Sequence, residues 1–367
     1  MIEFRVDKRA LLPPLLALAG VVDKKQSLPV LSNILFSLQE GRLTLMATDL
    51  EIEMVANITC EVAVEGSITV PAKKLLDIVR SLGDDANIRF SQQNNYLSLQ
   101  SGRSRFRLVT LAADDFPKAE VSSDCNTLQI ARKELQHLLQ STYFAMSQQD
   151  VRVYLNGLLL EFSPGSLTAV STDGHRMALS KLENTAVEQA QRIILPRKGV
   201  LEILRLLSSI EDEYLSVSSG ESHFSIQSSD YRFMTKLVES RYPAYNRVIP
   251  RNFSSYALMD RDDLKAALTR ITILAHEKTK AIALAVQEDR VSLIANNQQQ
   301  EEASEEVEAS IDGATLKIGM NAAYILDALN HIPEGLMRLS MESADSSILL
   351  ESLANENFQY VIMPMKL

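Results

Sequence analysis

The sequence predicts an α+β protein built from three homologous units, each with two amphipathic helices packed on antiparallel sheets. Three observations carry the prediction. The strand-like stretch Arg42 to Ala47 closes in Thr48-Asp49, and Ser166 to Ser171 closes in Thr172-Asp173, 124 residues later. A further 124 residues lead to Asn296-Asn297, behind the alternating Arg290 to Ala295. The flanks repeat as well, because Ile68-Thr-Val-Pro71-Ala-Lys-Lys-Leu-Leu parallels Ile193-Ile-Leu-Pro196-Arg-Lys-Gly-Val-Leu and, more loosely, Leu316-Lys-Ile-Gly-Met320-Asn-Ala-Ala-Tyr.

Taken in order, each unit opens with a helix. Leu11, Leu12, Leu15, Leu16 and Ala19 fall at helical spacing behind Asp7, and Leu135, Leu138 and Leu139 do so behind Ala131. In the third unit Leu264, Leu268 and Ile271 follow Asp260, a good N-cap. Alternating strands follow, then a strand running into a second helix, whose buried stripe is Leu75, Leu76, Val79 and Leu82 in the first unit and Leu201, Leu204 and Leu207 in the second. Each unit closes on strand composition, at Ser104-Arg-Phe-Arg-Leu, Tyr231-Arg-Phe-Met-Thr and Phe358-Gln-Tyr-Val-Ile. The domains are therefore expected at 1–121, 122–248 and 249–367, with short joins at Asp115-Phe-Pro117 and Arg247-Val-Ile-Pro250.

Composition narrows the class. With 46% hydrophobic and 23% charged residues and ordinary Gly and Pro counts, the chain reads as globular rather than disordered or fibrous. Cys60 and Cys125 stand 65 positions apart without Cys or His neighbours at metal spacing, so no zinc site or disulfide framework is expected and a reduced cytoplasm is the natural compartment. The apolar run Leu11 to Val22 imitates a secretory signal but holds Pro13 and Pro14, is too short to span a bilayer, and belongs to a repeated unit.

An acidic protein, with a net charge of −10, here places basic residues on its helices. Lys73, Lys74 and Arg80 point away from the stripe of one second helix, and Arg197, Lys198 and Arg205 from the other, while Lys8, Arg9, Lys24 and Lys25 flank the first helix and Arg132 and Lys133 begin its counterpart. Such faces serve a solvated helix, or a polyanion held through its phosphates without base readout. The net charge argues against tight conventional nucleic-acid binding and allows weak, mobile contact.

Catalytic patterns are missing: there is no phosphate-binding glycine loop, His-Glu-x-x-His or Gly-x-Ser-x-Gly. Asp49, Glu51 and Glu53 alternate as carboxylates on one strand face would, but the second unit has Asp173, His175 and Met177 there and the third has Asn297, Gln299 and Glu301, so no metal ligand set recurs. Asp173-Gly-His175-Arg176 reads as a turn exposing His175 and Arg176 at a groove rather than as a dyad. No catalytic residue, metal or cofactor is expected, which leaves a repeat scaffold that binds peptides as the other open reading.

The threefold unit, Leu28-Pro-Val-Leu-Ser-Asn-Ile-Leu, Ser101-Gly-Arg-Ser-Arg-Phe106, Gln149-Asp-Val-Arg-Val-Tyr-Leu-Asn-Gly157, Thr172-Asp-Gly-His-Arg176, Pro196-Arg-Lys-Gly199 and the terminal Tyr360-Val-Ile-Met-Pro-Met-Lys-Leu367 closely resemble the bacterial DNA polymerase III beta subunit family, the replicative sliding clamps. The resemblance covers essentially the whole chain. It implies the DNA clamp fold and a head-to-tail homodimer closing a six-domain ring around double-stranded DNA, which is encircled without regard to sequence. Linkage by topology then replaces affinity.

The resemblance also implies three sets of residues. The dimer interface would join Arg103, Arg105, Phe106 and Leu108 to Ile273, Leu274, Glu301, Glu302 and Glu305. A groove for partner peptides would use Leu155, Thr172, Gly174, His175, Arg176, Met177, Pro243, Arg247, Val248, Asn321, Tyr324, Ser347, Val361, Ile362, Met363, Pro364 and Met365, with Thr279, Asp345 and Lys366 at its rim. DNA would meet Lys24, Lys25, Gln149, Arg152, Tyr154, Arg197 and Lys198, together with the basic face of Lys73, Lys74 and Arg80. The implied partners are the clamp loader, the replicative polymerase and other proteins of replication and repair carrying a clamp-binding motif, in a cytoplasmic, nucleoid-associated setting with no membrane.

Overall fold

The computed structural model describes residues 2–22, 28–118, 126–355 and 357–366. It contains six α-helices among the described residues: α1 (Lys8–Val21), α2 (Ala72–Ser81), α3 (Arg132–Gln140), α4 (Arg197–Leu207), α5 (Arg261–Ile271) and α6 (Ala322–Leu329). Two fall in each sequence repeat. The strands Gly66–Pro71, Gln191–Pro196 and Leu316–Asn321 run directly into α2, α4 and α6, as the repeated flanks predict. None of the described helices is long and apolar enough to cross a membrane.

Burial follows helical periodicity, with local differences. In α1 the buried arc is Leu11, Pro14, Leu15, Leu18 and Val21, so Leu16, expected inside, is exposed and Leu12 and Ala19 sit at the margin. In α4 the arc is Val200, Ile203, Leu204 and Leu207, which leaves Leu201 on the exposed flank. Leu82 ends α2 as a half-buried cap. The expected stripes of α3 and α5 are buried in full. Asp260 caps α5 by accepting from the amides of Asp262 and Asp263.

Lys8, Arg132 and Arg261 open the first helix of each repeat, and each reaches the end of that repeat's second helix. The Lys8 ammonium donates to the Leu82 carbonyl at 2.6 Å, the Arg132 guanidinium to Leu207 at 2.9 Å, and Arg261 to Leu329 at 3.4 Å. Cations here satisfy orphan carbonyls at the negative end of a helix. Lys8 and Arg132 are thus structural, not part of a free basic face.

The chain divides into two compact units, residues 1–136 with 198–237, and residues 137–197 with 238–367. In the first, a five-stranded sheet has the order Glu61–Val64, Glu3–Asp7, Asn87–Gln93, Tyr96–Ser101, Ser104–Val109. An eight-stranded sheet beside it runs Asn126–Ala131, Tyr214–Ser219, His223–Gln227, Tyr231–Lys236, Ile52–Thr59, Arg42–Thr48, Asn33–Gln39, Gly66–Pro71. In the second unit a nine-stranded sheet runs Gln191–Pro196, Gly157–Ser163, Ser166–Thr172, Arg176–Glu183, Phe358–Ile362, Ile348–Ser352, Leu336–Met341, Ser255–Asp260, Ser310–Gly313, and a four-stranded sheet runs Glu302–Glu308, Arg290–Asn296, Ala281–Gln287, Leu316–Asn321.

The long sheets are joined across repeats by one recurring rule: the last strand of a repeat pairs antiparallel with the third hairpin strand of the repeat before it. Tyr231–Lys236 pairs with Ile52–Thr59, in register from Tyr231 opposite Ala56 to Thr235 opposite Ile52. Phe358–Ile362 pairs with Arg176–Glu183, from Arg176 opposite Ile362 to Ser180 opposite Phe358. The equivalent strands without such a partner are Ser104–Val109 and Glu302–Glu308, and both are sheet edges. Apolar residues alternating inward on these sheets and the helix stripes form the cores; in the second unit Phe358, Tyr360 and Ile362 pack with Leu264, Leu268 and Ile325.

Candidate functional site

The repeated polar pair turns the chain, with the same three hydrogen bonds in the first two repeats and a related two in the third. Thr172 Oγ1 donates to the Arg176 carbonyl at 2.6 Å, while the Asp173 carboxylate accepts from the His175 and Arg176 amides at 2.9 and 3.0 Å. Thr48 and Asp49 repeat this with Ile52 and Glu51, and Asn297 accepts from the Gln299 and Glu301 amides. The expected strand face of Asp49, Glu51 and Glu53 therefore does not form: Asp49 and Glu51 sit in the turn, and buried Glu53 accepts from Arg232 at 2.8 Å. Among the described residues no cluster of three or more His, Cys, Asp or Glu could hold a metal.

In the second repeat this turn edges a cavity of about 190 Å³ lined by Arg152, Tyr154, Leu155, Thr172, Gly174, Arg176, Met177, Pro243, Val248, Val361 and Met363. Gly174 has φ +90°, and a Cβ there would lie 3.2 Å from the Arg152 guanidinium, so glycine both makes the turn and admits Arg152. Beneath lies an apolar floor of Leu159, Val170, Met177, Tyr242 and Val361. The wall from 243 to 248 is pinned by Tyr245, whose hydroxyl donates to Glu161 at 2.5 Å; burial and that carboxylate push the phenol well above its usual range. The tail is fixed by the Met363 amide on the His175 carbonyl and the Met365 amide on Gly319, each at 2.9 Å.

Nine residues expected in the groove line this cavity. Ile362 does not: strand alternation turns it into the core, where it is 1% exposed, between Val361 and Met363 on the cavity side. His175, Arg247, Asn321, Tyr324, Ser347, Pro364 and Met365 lie outside the cavity lining. Asn321 instead caps α6, accepting from the Ala323 and Tyr324 amides. Arg176 is not the exposed turn residue expected, since Asp173, Asp327 and the Phe144 carbonyl hold it within the fold.

The residues expected at DNA separate into different environments. Lys73, Lys74 and Arg80 are exposed on α2 with no ion pair among the described residues, and Gln149 is exposed. Lys198 reaches Asp49 at 2.5 Å, and Arg197 donates to the Met146 carbonyl at 3.1 Å. Arg152 and Tyr154 line the cavity, with Arg152 paired to Asp150 at 2.8 Å; hydrogen bonds from Arg152 hold the Asp150 carboxyl at about 2. Lys24 and Lys25 lie outside the described residues.

At the expected interface Arg103 and Arg105 are exposed, Phe106 is half-buried, and Leu108 is turned into its own chain. Ile273 is 78% exposed and Leu274 half-buried. Glu301 and Glu302 face solvent, whereas Glu305 is bound bidentately by Arg270 at 2.7 Å, which lowers its pKa. A larger hollow of about 510 Å³ between Ile273, His276, Lys278, Gln298 and Glu301 has mainly polar walls.

Comparison with known proteins gives one family throughout. Family models of the DNA polymerase III beta subunit match in order: the N-terminal domain at residues 2–120, the central domain at 129–244 and the C-terminal domain at 246–366. The beta sliding clamp of Pseudomonas putida is 43% identical over 368 residues, covering 100% of both chains. The crystal structure of the DNA polymerase III subunit beta from Pseudomonas aeruginosa matches with a TM-score of 0.95 at 40% identity, and that of the Pseudomonas aeruginosa sliding clamp bound to griselimycin with 0.96 at 41%, each over 100% of both chains.

Proposed function

The chain belongs to the DNA polymerase III beta subunit family, and we infer from that membership that it is a sliding clamp: a non-catalytic processivity subunit that encircles duplex DNA and tethers the replicative polymerase. The observation that carries this reading is the ordered match of all three domain models across residues 2–366. The repeats 1–121, 122–248 and 249–367 are its three clamp domains.

Ring closure is proposed through a second copy of the chain. The pairing rule that joins successive repeats leaves the edge strands Ser104–Val109 and Glu302–Glu308 as the two halves of one more seam. The first carries Arg105 and Arg107 with Arg103 beside it, and the second Glu302, Glu306 and Glu308 with Glu301 beside it. Exposed edges need cover, and a head-to-tail partner supplies it twice, which closes the ring. Exposed Ile273 supplies apolar area near this seam. Within the ring, Lys73, Lys74 and Arg80 meet phosphates, with Gln149, Lys198 and Arg197 in supporting contacts and Lys24 and Lys25 as further candidates.

The cavity lined by Leu155, Met177, Val248, Val361 and Met363 is the proposed partner site, where two methionines adapt to varied apolar anchors. His175, Arg247, Asn321, Tyr324, Ser347, Pro364 and Met365 would extend it for the rest of a linear motif. Its occupants are the polymerase, the clamp loader and other replication and repair proteins, in the cytoplasm.

The test loads the protein onto nicked circular DNA with an active ATP-driven clamp loader, then cuts the circle at moderate salt. Release on linearisation is the expected result. Retention on the cut DNA means conventional binding and overturns the clamp reading.

A further inference from the structure

The seams that join successive repeats share one register. Tyr231 lies opposite Ala56 in the first seam, and Phe358 lies opposite Ser180 in the second. Ala56 and Ser180 are 124 residues apart, the repeat spacing, and Tyr231 and Phe358 open the matching closing strands, so the same two positions meet each time. Two alignments carry this register to the open edges. Val109 pairs with Tyr96 as Lys236 pairs with His223, so Arg105-Phe106 stands where Arg232-Phe233 stands. On the acidic strand Asn296 pairs with Glu302 where Thr48 pairs with Glu53 and Thr172 with Met177, the third turn being one residue longer.

Transferred to a second copy of the chain, the register sets Phe106 opposite the partner's Ala303, Arg107 opposite the partner's Glu302 and Ser104 opposite the partner's Glu305. Exposure agrees with it: Arg105, Arg107, Glu302 and Ser304 are exposed, whereas Phe106, Ala303 and Glu305 are half-buried on the other face. Of the acids on this span, Glu301 accepts from the Asn297 side-chain amide at 2.5 Å and Glu305 is held by Arg270 at 2.7 Å, both within their own chain. Glu302 has no side-chain partner among the described residues. Its counterpart Glu53 takes Arg232 diagonally at 2.8 Å in the first seam, a part that falls to Arg105 here. Arg107 is the addition, because it stands where the first seam has the uncharged Met234, directly opposite the acid. Its guanidinium lies 3.7 Å from the centre of the Tyr96 ring, a stack that leaves the in-plane N–H donors open to a carboxylate.

We propose that Arg107 is a specificity-determining residue of the ring seam: beside Arg105 it takes the partner's Glu302, while Glu305 stays with Arg270 of its own chain and forms no ion pair across the seam. This rests on the ring-closure reading above. Dissociation of the full-length dimer, followed by fluorescence-detected sedimentation on dilution at about 0.15 M salt, tests it.

Arg107→Gln raises the dimer Kd about fivefold, since a ring of two chains loses the pair at both of its seams. Glu302→Gln raises it further, because Arg105 loses its acid as well. In the Glu302→Gln background Arg107→Gln moves Kd by less than about twofold, because the acid it answered is gone. Glu305→Gln alone stays within about twofold of wild type, and in that background Arg107→Gln keeps its roughly fivefold cost. Arg107→Met, which copies the first seam, takes the place of Arg107→Gln if the latter does not fold. A Kd that ignores Arg107, a cost that persists without Glu302, or a Glu305→Gln effect equal to that of Glu302→Gln overturns the proposal. A wild-type chain that sediments as a monomer at micromolar concentration fails the ring reading itself, and this proposal with it.

Discussion

Val248 gives the sharpest test of the cavity as a binding site. It lines the cavity from the segment after Tyr245, yet 38% of it is exposed in the free chain. Val248→Asn exchanges the β-branched isopropyl group for a side chain of similar size that carries an amide. In the free protein water solvates that amide, so stability changes by no more than about 0.5 kcal/mol. When an apolar anchor enters, the amide loses its water against a leucine-sized side chain whose full burial is worth about 1.5–3 kcal/mol, and unpaired desolvation of a polar group costs about 1–3 kcal/mol. A net loss of about 2 kcal/mol follows, or roughly thirtyfold in Kd. The assay is fluorescence anisotropy with a capped, uncharged five-residue peptide of leucine, phenylalanine and serine, beside a thermal melt of the same preparation. A Kd within twofold of wild type at an unchanged Tm refutes the claim that this cavity takes the anchor.

Two further predictions concern the interface and pH. Ile273→Asp places a carboxylate on a 78% exposed position beside Glu301; the dimer is expected to weaken more than about tenfold without loss of chain stability, read by sedimentation, and an unaltered dimer removes Ile273 from the seam. His331 stacks on Phe144 at 4.4 Å and donates from Nδ1 to the Asp327 carbonyl at 2.8 Å, and burial lowers its pKa. The unfolded chain then binds the extra proton below about 6.5, so unfolding free energy is highest above that pH and falls as pH drops towards the folded value, with a slope of at most about 1.4 kcal/mol per pH unit. Urea titrations across this window check it: His331→Asn flattens the difference, and an identical slope in the variant assigns the effect elsewhere.

Much of the architecture was legible because it is local. The strand-to-helix flanks, the Asp260 cap and the Thr-Asp turns each involve residues within a few positions of one another, and the 124-residue spacing is the recurrence of those local patterns. Helix faces were legible to within one residue, and the errors at Leu16 and Leu201 are residues at the margin of a buried arc. Most of the cavity wall was reached only through resemblance to the family, since Leu155, Met177, Val248 and Met363 come from four separate segments. Strand alternation alone separates Ile362 from its neighbours, and the polar and apolar pattern of the tail does not mark which face is the core.

The basic residues mark the boundary between the two kinds of information. Composition placed them on helices, but Lys8 caps α2 from 74 positions away, Lys198 meets Asp49 across 149, and Arg176 meets Asp327 across 151. Whether a cation is free for a phosphate depends on such partners, and a charge reads only what lies within a few ångströms. The same holds for the strand edges: each strand's propensity is written in its own residues, while its neighbour in the sheet is set by how whole repeats dock. The sequence by itself determined three units and their elements through short-range hydrogen bonds and periodicity. Which cations are spent, which edges stay open and where the cavity forms were decided by tertiary structure, because burial and pairing are properties of residues brought together from distant parts of the chain.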